Sequence, residues 1–305
     1  MLKTAPALPA SIHVLERGWL SSNNILLYGS HGVAVVDTGY VTHAEQTLAL
    51  IQHALNGRTL DLIVNTHLHT DHCGGNALLQ RHYRCDIAIP QLDADKVRAW
   101  DELEQGFKAA GQCCERFDFQ RTLTPGQVLE LGDLLWEVHA APGHEPHSLI
   151  LYCRAERILI TADALWENGF GVIFPELIGA SGFAEQQAVL ELIESLDVDI
   201  VIPGHGAPFT DVAGALARAF SRLAYLRADP RRNASNALKV LIAFKLLEAR
   251  SMSLAELDRF IDGSSLVQSC LQILHTDHSA VLSEMLAALE RGGTLRIVED
   301  RIEAC

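Results

Sequence analysis

The segment Asn65-Thr-His67-Leu-His69-Thr-Asp71-His72-Cys-Gly-Gly75 gathers four metal-ligating side chains within six residues, and no other stretch of the chain restricts its fold as strongly. It follows Leu60–Asn65, a short apolar run with β-branched residues that reads as a strand. If the chain leaves that strand extended, His67 and His69 project to one side and can grip a cation, while Asp71 and His72 turn towards a second. Gly74 and Gly75 then allow a tight turn into a helix.

Three later residues sit where strands should end. His144 follows the strand expected at 134–140, Asp163 the one at 157–161 and His205 the one at 199–202, each after a turn of small residues. Together with the first four they make seven ligands, enough for two divalent ions.

The remaining pattern places this string in an α/β chain. Short strands are expected at 12–15, 24–28 and 33–37, a helix at 42–55, and strands at 86–89, 127–131 and 148–152. A helix at 183–196 and the strand at 199–202 carry the alternation to about residue 210, and beyond Asp211 helices are expected at 213–226, 237–248, 253–261 and 278–290, ahead of a β-like stretch at 294–302. Length, 305 residues, suits two units: a catalytic one over 1–212 and a mostly helical, winged-helix-like one over 213–305. The composition of Ala228–Ser235 suits a linker between helices.

These motifs resemble the metallo-β-lactamase superfamily over about residues 10–210. The resemblance implies an αββα sandwich with the metals at one edge between two sheets. It implies that His67, His69 and His144 hold one metal, that Asp71, His72 and His205 hold the other, and that Asp163 bridges them. Such a site needs two divalent ions, zinc first and iron or manganese as alternatives. The reaction implied is hydrolysis of a small carboxylic ester, thioester or lactone by a bridging hydroxide, the metals lowering the pKa of a shared water from about 15.7 towards 7. Asp71 is the catalytic candidate, as acceptor of the hydroxide proton, and Asp37 is a candidate support for the imidazoles. Asp163 sets the chain apart from the true β-lactamases and aligns it with the glyoxalase-II-like and lactonase-like branches. Alternative readings within the fold are an iron-dependent oxidoreductase resembling persulfide dioxygenases or flavodiiron proteins, and an endoribonuclease-like phosphodiesterase.

Substrate selection must come from the walls. Trp166, Phe170 and Phe174, directly after Asp163, read as a mobile apolar lip. Lactonases of the family often carry a tyrosine at the place of Trp166, a departure from that pattern. Arg218 and Arg222, four apart on one helix face, are candidates for an anionic substrate group. His147 reads as structural or supporting, Cys73 as a buried thiol, and Cys113-Cys114 as part of a capping insertion without chemistry of its own.

Charge narrows the partners. The net charge of −14 is uneven: residues 1–215 carry 12 basic and 27 acidic side chains, whereas 216–305 carry 12 and 11. That balance disfavours nucleic acid and favours a small acyl substrate. The seven cysteines lack a C-x-x-C spacing and fit a reducing compartment. With no apolar leader and no long apolar run, the expectation is a cytoplasmic protein without a membrane partner, and the C-terminal helices could make a homodimer contact.

Overall fold

The computed structural model describes residues 6–298 and 301–304. Among them, β1 (Ile12–Leu15), β2 (Asn24–Gly29), β3 (Gly32–Val36), β4 (Leu62–Val64), β5 (Asp86–Pro90) and β6 (Arg121–Leu123) form one sheet in chain order. It is antiparallel through β3 and parallel thereafter. A second sheet contains β7 (Val128–Leu131), β8 (Leu134–Ala140), β9 (Leu149–Cys153), β10 (Ile158–Ala162) and β11 (Ile200–Pro203), in the order β11-β10-β9-β8-β7.

The sequence places these sheets face to face because residues alternate between two apolar environments. In β3, Ala34 and Val36 join Trp136, Val138, Leu151 and Ile160 in the core between the sheets. Val33 and Val35 point the other way, against Leu48, Ile51 and Leu79 of α1 (Ala44–Leu55) and α3 (Asn76–Tyr83). The short α2 (Thr70–Cys73) lies between those two helices in the chain. On the far side, Leu159 of β10 meets Val189 and Leu190 of α6 (Phe183–Ser195) and Leu216 and Ala219 of α7 (Val212–Arg227). The result is the αββα sandwich. The insertion after β5 forms α4 (Ala94–Ala99) and α5 (Asp101–Ala109), anchored by Trp100, Phe107 and Phe117 in the first outer core.

A separate core joins α8 (Pro230–Ala249), α9 (Leu254–Gly263), α10 (Ser265–Leu274) and α11 (His278–Arg291) to β12 (Ser251–Ser253), β13 (Leu295–Val298) and β14 (Arg301–Ala304). The strands form a small sheet in the order β12-β14-β13. Two expectations are corrected here. The segment 228–235 is not a linker: Asp229 caps α8 by accepting from the Arg231 N–H, and Pro230 occupies its first turn, where a missing N–H costs nothing. The helix α10 was not expected; Ser264, accepting from the Val267 N–H, starts it. Beyond residue 212, α7 still buries one face in the outer core of the second sheet. Among the described residues no helix is long and apolar enough to cross a membrane.

Candidate metal centre

The ligand string leaves β4 extended, and His69 keeps an extended backbone (φ −68°, ψ 150°) before α2 begins. One helical turn then carries Asp71 and His72 into a second group, with the His72 ring still 4.0 Å from that of His67. The loop is pinned from behind: Asn65 Nδ2 donates to the His72 carbonyl, Asn76 Nδ2 donates to Asn65 Oδ1, and Thr38 Oγ1 donates to Asn76 Oδ1. Asp163 enters from the end of β10, where the register with β11 shifts and Ala162 adopts a left-handed φ of 46°. That irregularity aims the carboxylate at the site.

The seven side chains converge as two groups. His67, His69 and His144 form one, and Asp71, His72, Asp163 and His205 the other. In the first, His69 Nδ1 lies 3.1 Å from His67 Nε2 and 2.8 Å from His144 Nε2. In the second, His205 Nε2 is 3.1 Å from Asp71 Oδ2. Asp163 Oδ2 sits between the groups, 3.4 Å from His72 Nε2 and 3.3 Å from His144 Nε2.

Hydrogen-bond partners fix which nitrogens carry protons. Asp37 Oδ2 accepts from His72 Nδ1 at 2.7 Å, the Val172 carbonyl accepts from His144 Nδ1, and Thr66 Oγ1, which itself donates to Asp37, accepts from His67 Nδ1. His67 and His144 therefore turn an Nε2 lone pair inward, and His72 turns inward the Nε2 that takes up either a proton or a cation. His72 Nε2 is buried and makes no hydrogen bond. With the His69 proton on Nε2, its Nδ1 adds one more lone pair to this cluster, and inward-facing nitrogens packed this closely fit a cation, so the residues present suit the metals that the donor set implies. Two glycines are required by the approach: a Cβ at Gly171 would strike His144 Nδ1, and one at Gly204 would strike Asp163 Oδ1.

Electrostatics point the same way. Burial, reinforced by neighbouring imidazoles, pushes His67 well below the ordinary histidine value and His69 down to about 3. Neutral imidazoles are what a cation requires of these two candidate ligands. Burial would also depress His72, but Asp163, Asp37 and Asp71 outweigh it and hold it well above its ordinary value. Burial would raise Asp163, yet His72 and His205 keep it well below the usual carboxylate range. The second group is an anionic pocket around an imidazole, which draws either a proton or a cation.

Asp37 carries more of this arrangement than its place in the sequence indicates. It adopts a left-handed φ of 58° and is buried, and its carboxylate also accepts from the Thr66 N–H at 2.9 Å. Trp19 gave no signal in the sequence. It stacks on the His205 ring at 5.5 Å and meets Trp166 edge-on at 5.3 Å.

A cavity of about 850 Å³ opens over the centre, with His69, Asp71, His144, Asp163 and His205 among its walls. Trp166, Phe170 and Phe174 line it, but not as a free lip. Phe170 and Ile173 are buried in the outer core of the second sheet, and Val172 and Leu177 pack with the C-terminal core. Of the two arginines, Arg222 lines the cavity, and its Nη2 donates to Asn236 Oδ1. Arg218 does not reach it: Asp211 and the Glu167 carbonyl take its guanidinium on the exposed side of α7. His147 pairs with Asp93 at 2.6 Å beside Glu145. Cys73 is buried with its Sγ 3.9 Å from Cys114 Sγ.

The chain belongs to the metallo-beta-lactamase superfamily, whose family model matches residues 17–205. It is 30% identical over 201 residues to type A flavoprotein fprA of Rhodobacter capsulatus, covering 60% of this chain and 44% of the relative. It is 28% identical over 137 residues to a hydroxyacylglutathione hydrolase of Mesorhizobium japonicum, covering 45% and 46%. An acyl-coenzyme A thioesterase of Gallus gallus is 27% identical over 159 residues, covering 47% and 56%. The chain thus spans about half the length of these curated relatives. A metallo-beta-lactamase family protein from Thermus thermophilus shares the fold over 98% of this chain and 100% of its own, at 20% identity and a TM-score of 0.60.

Proposed function

We propose that the chain is a dinuclear metal-dependent hydrolase that cleaves a small carboxylic ester, thioester or lactone, with zinc as the metal. The observation that carries this reading is the position of Asp163 between two ligand groups that open onto one cavity. The all-nitrogen-and-oxygen donor set suits zinc. Two hydrolases among the relatives, one of them a thioesterase by name, support the reaction class.

Two bound cations would supply a water of lowered pKa and an electrophile for the scissile carbonyl. The chain's own groups do the rest. His67, His69 and His144 stay neutral and present their lone pairs, oriented by Thr66 and Val172. Asp163, steadied by Trp166, holds the two halves in register. Asp71 lines the cavity and is the carboxylate we assign to take up the proton released as water adds to the carbonyl, and to return it to the leaving group. Trp19 and Trp166 flank His205 on the approach to the site.

Metal analysis of the protein purified without added metal, followed by turnover of thioesters, lactones and esters at neutral pH, tests the reading. Zinc near two equivalents with chelator-sensitive hydrolysis is the expected outcome. Iron with oxygen consumption and no hydrolysis would replace it with the oxidoreductase reading.

A further inference from the structure

The cavity is far larger than the reacting centre needs, and α8 supplies much of its wall. Asn236, Lys239, Val240, Ala243, Phe244 and Leu247 line it at the three- and four-residue spacing of one helix face. The two halves of that face differ. At Asn236 and Lys239 the wall is polar. Arg222 Nε and Asn236 Nδ2 are buried there without hydrogen-bond partners, and Lys239 makes no ion pair with a described residue. From Val240 to Leu247 every cavity-facing residue of α8 is apolar.

Apolar residues from elsewhere in the fold line the same cavity: Phe107 and Ala110 at the end of α5, Phe174, Leu266 of α10 and Leu289 of α11. This surface starts at the metal centre itself. The Phe174 ring lies edge-on to His69 at 5.3 Å and tilted against His144 at 5.5 Å. Val240 to Leu247 spans about 10 Å at 1.5 Å per residue, the length of an extended chain of roughly eight carbons. An apolar arm of that size favours an apolar group over solvent. Its continuity with the centre requires that group to be attached to the scissile carbonyl.

We propose that the arm between α5 and α8 holds the acyl chain of the substrate, which makes the substrate class a medium-chain acyl ester or thioester, with Ala243 setting the usable width. The unpartnered donors of Arg222 and Asn236 exclude the chain from the other half, so the leaving group lies there. This inference rests on the hydrolase reading above.

The test uses the metal-loaded full chain and a series of thioesters of one thiol, from acetyl to dodecanoyl. KM should fall about three- to fourfold per added methylene, the equivalent of about 0.8 kcal/mol for each methylene buried, and level off near eight to ten carbons. In Ala243→Phe, and independently in Val240→Trp on the more open side of the helix, the preference for octanoyl over butanoyl should drop at least tenfold in kcat/KM, with thermal unfolding reporting that each variant is folded. Calorimetric binding of butanoate, octanoate and decanoate separates the two claims. Tighter binding of the longer acids without turnover of any acyl compound would keep the arm and overturn the hydrolase reading. Turnover with KM and acid binding both indifferent to chain length would keep the hydrolase and overturn the arm. Neither turnover nor length-dependent binding would overturn both.

Discussion

The indole Nε1 of Trp166 donates to Oδ1 of Asp163 at 3.2 Å, which leaves Oδ2 of the same carboxylate facing His72 and His144. A carboxylate that is to serve two metal positions, as we propose for Asp163, has to be held against rotation, and the indole does this through Oδ1. Trp166→Phe keeps the aromatic contact with Trp19 but removes the donor. Metal affinity, followed by competition with a chromophoric chelator, should weaken about 10- to 100-fold, the usual cost of losing a group that orients a ligand. Unchanged affinity would reduce Trp166 to a wall residue.

Asp37 offers a sharper test because three donors depend on it: the Thr66 N–H, the Thr66 hydroxyl and His72 Nδ1. In Asp37→Ala these are left buried without an acceptor, and alanine must also take up a φ of 58°. A loss of about 3 kcal/mol or more in denaturant unfolding is expected, at about 1–3 kcal/mol per unsatisfied group, together with loss of the second metal. Asparagine tolerates the left-handed backbone and keeps one acceptor. Asp37→Asn should therefore retain most of the stability while still binding metal less tightly.

Much of this architecture is legible in the sequence. The alternation of Val33, Ala34, Val35 and Val36 between two cores is a period-two signal, and each ligand beyond the first four stands after a strand and a small-residue turn, a local pattern. What is not legible depends on contacts between distant segments. Arg218 and Arg222 share a helix face by spacing, yet Asp211 captures one and the cavity receives the other. Trp19 precedes β2 with nothing around it to mark a site, and reaches His205 only because Asn23 binds the Pro203 and Gly206 carbonyls across the fold. The polar run 228–235 reads as a linker by composition, although its Asp-Pro pair is also a helix start. The segment after Asp163 reads as a mobile lip because its glycines are visible in the sequence and its packing partners are not.

For Asp71, ligation and proton transfer can be separated. Its Oδ2 lies 3.1 Å from His205 Nε2 within the second group, and an amide at this place keeps an oxygen ligand but not the basicity. Asp71→Asn should keep at least one metal equivalent and lose about 10²- to 10⁴-fold in kcat, the range for a general acid–base group. Full turnover at full metal occupancy would remove Asp71 from proton transfer and leave it as a ligand only.

Two buried cysteines that do not line the cavity predict how stability responds to alkali. Burial pushes the Cys270 thiol from its ordinary 9.0 up to about 12, and Cys85 up to about 11. Above pH 9 the unfolded chain has released these protons while the folded chain still binds them. Because the native state then holds more protons, stability is complete below about pH 9 and falls as pH rises from there towards 11–12, by at most about 1.4 kcal/mol per pH unit for each thiol. Cys270→Ala removes one of the two groups, so its urea midpoint should start lower at pH 8 and then decline less steeply to pH 10.5 than that of the parent chain. Parallel declines would show that the Cys270 thiol ionises in the folded protein as readily as in the unfolded one, which its position in the core of α8, α9 and α10 does not permit.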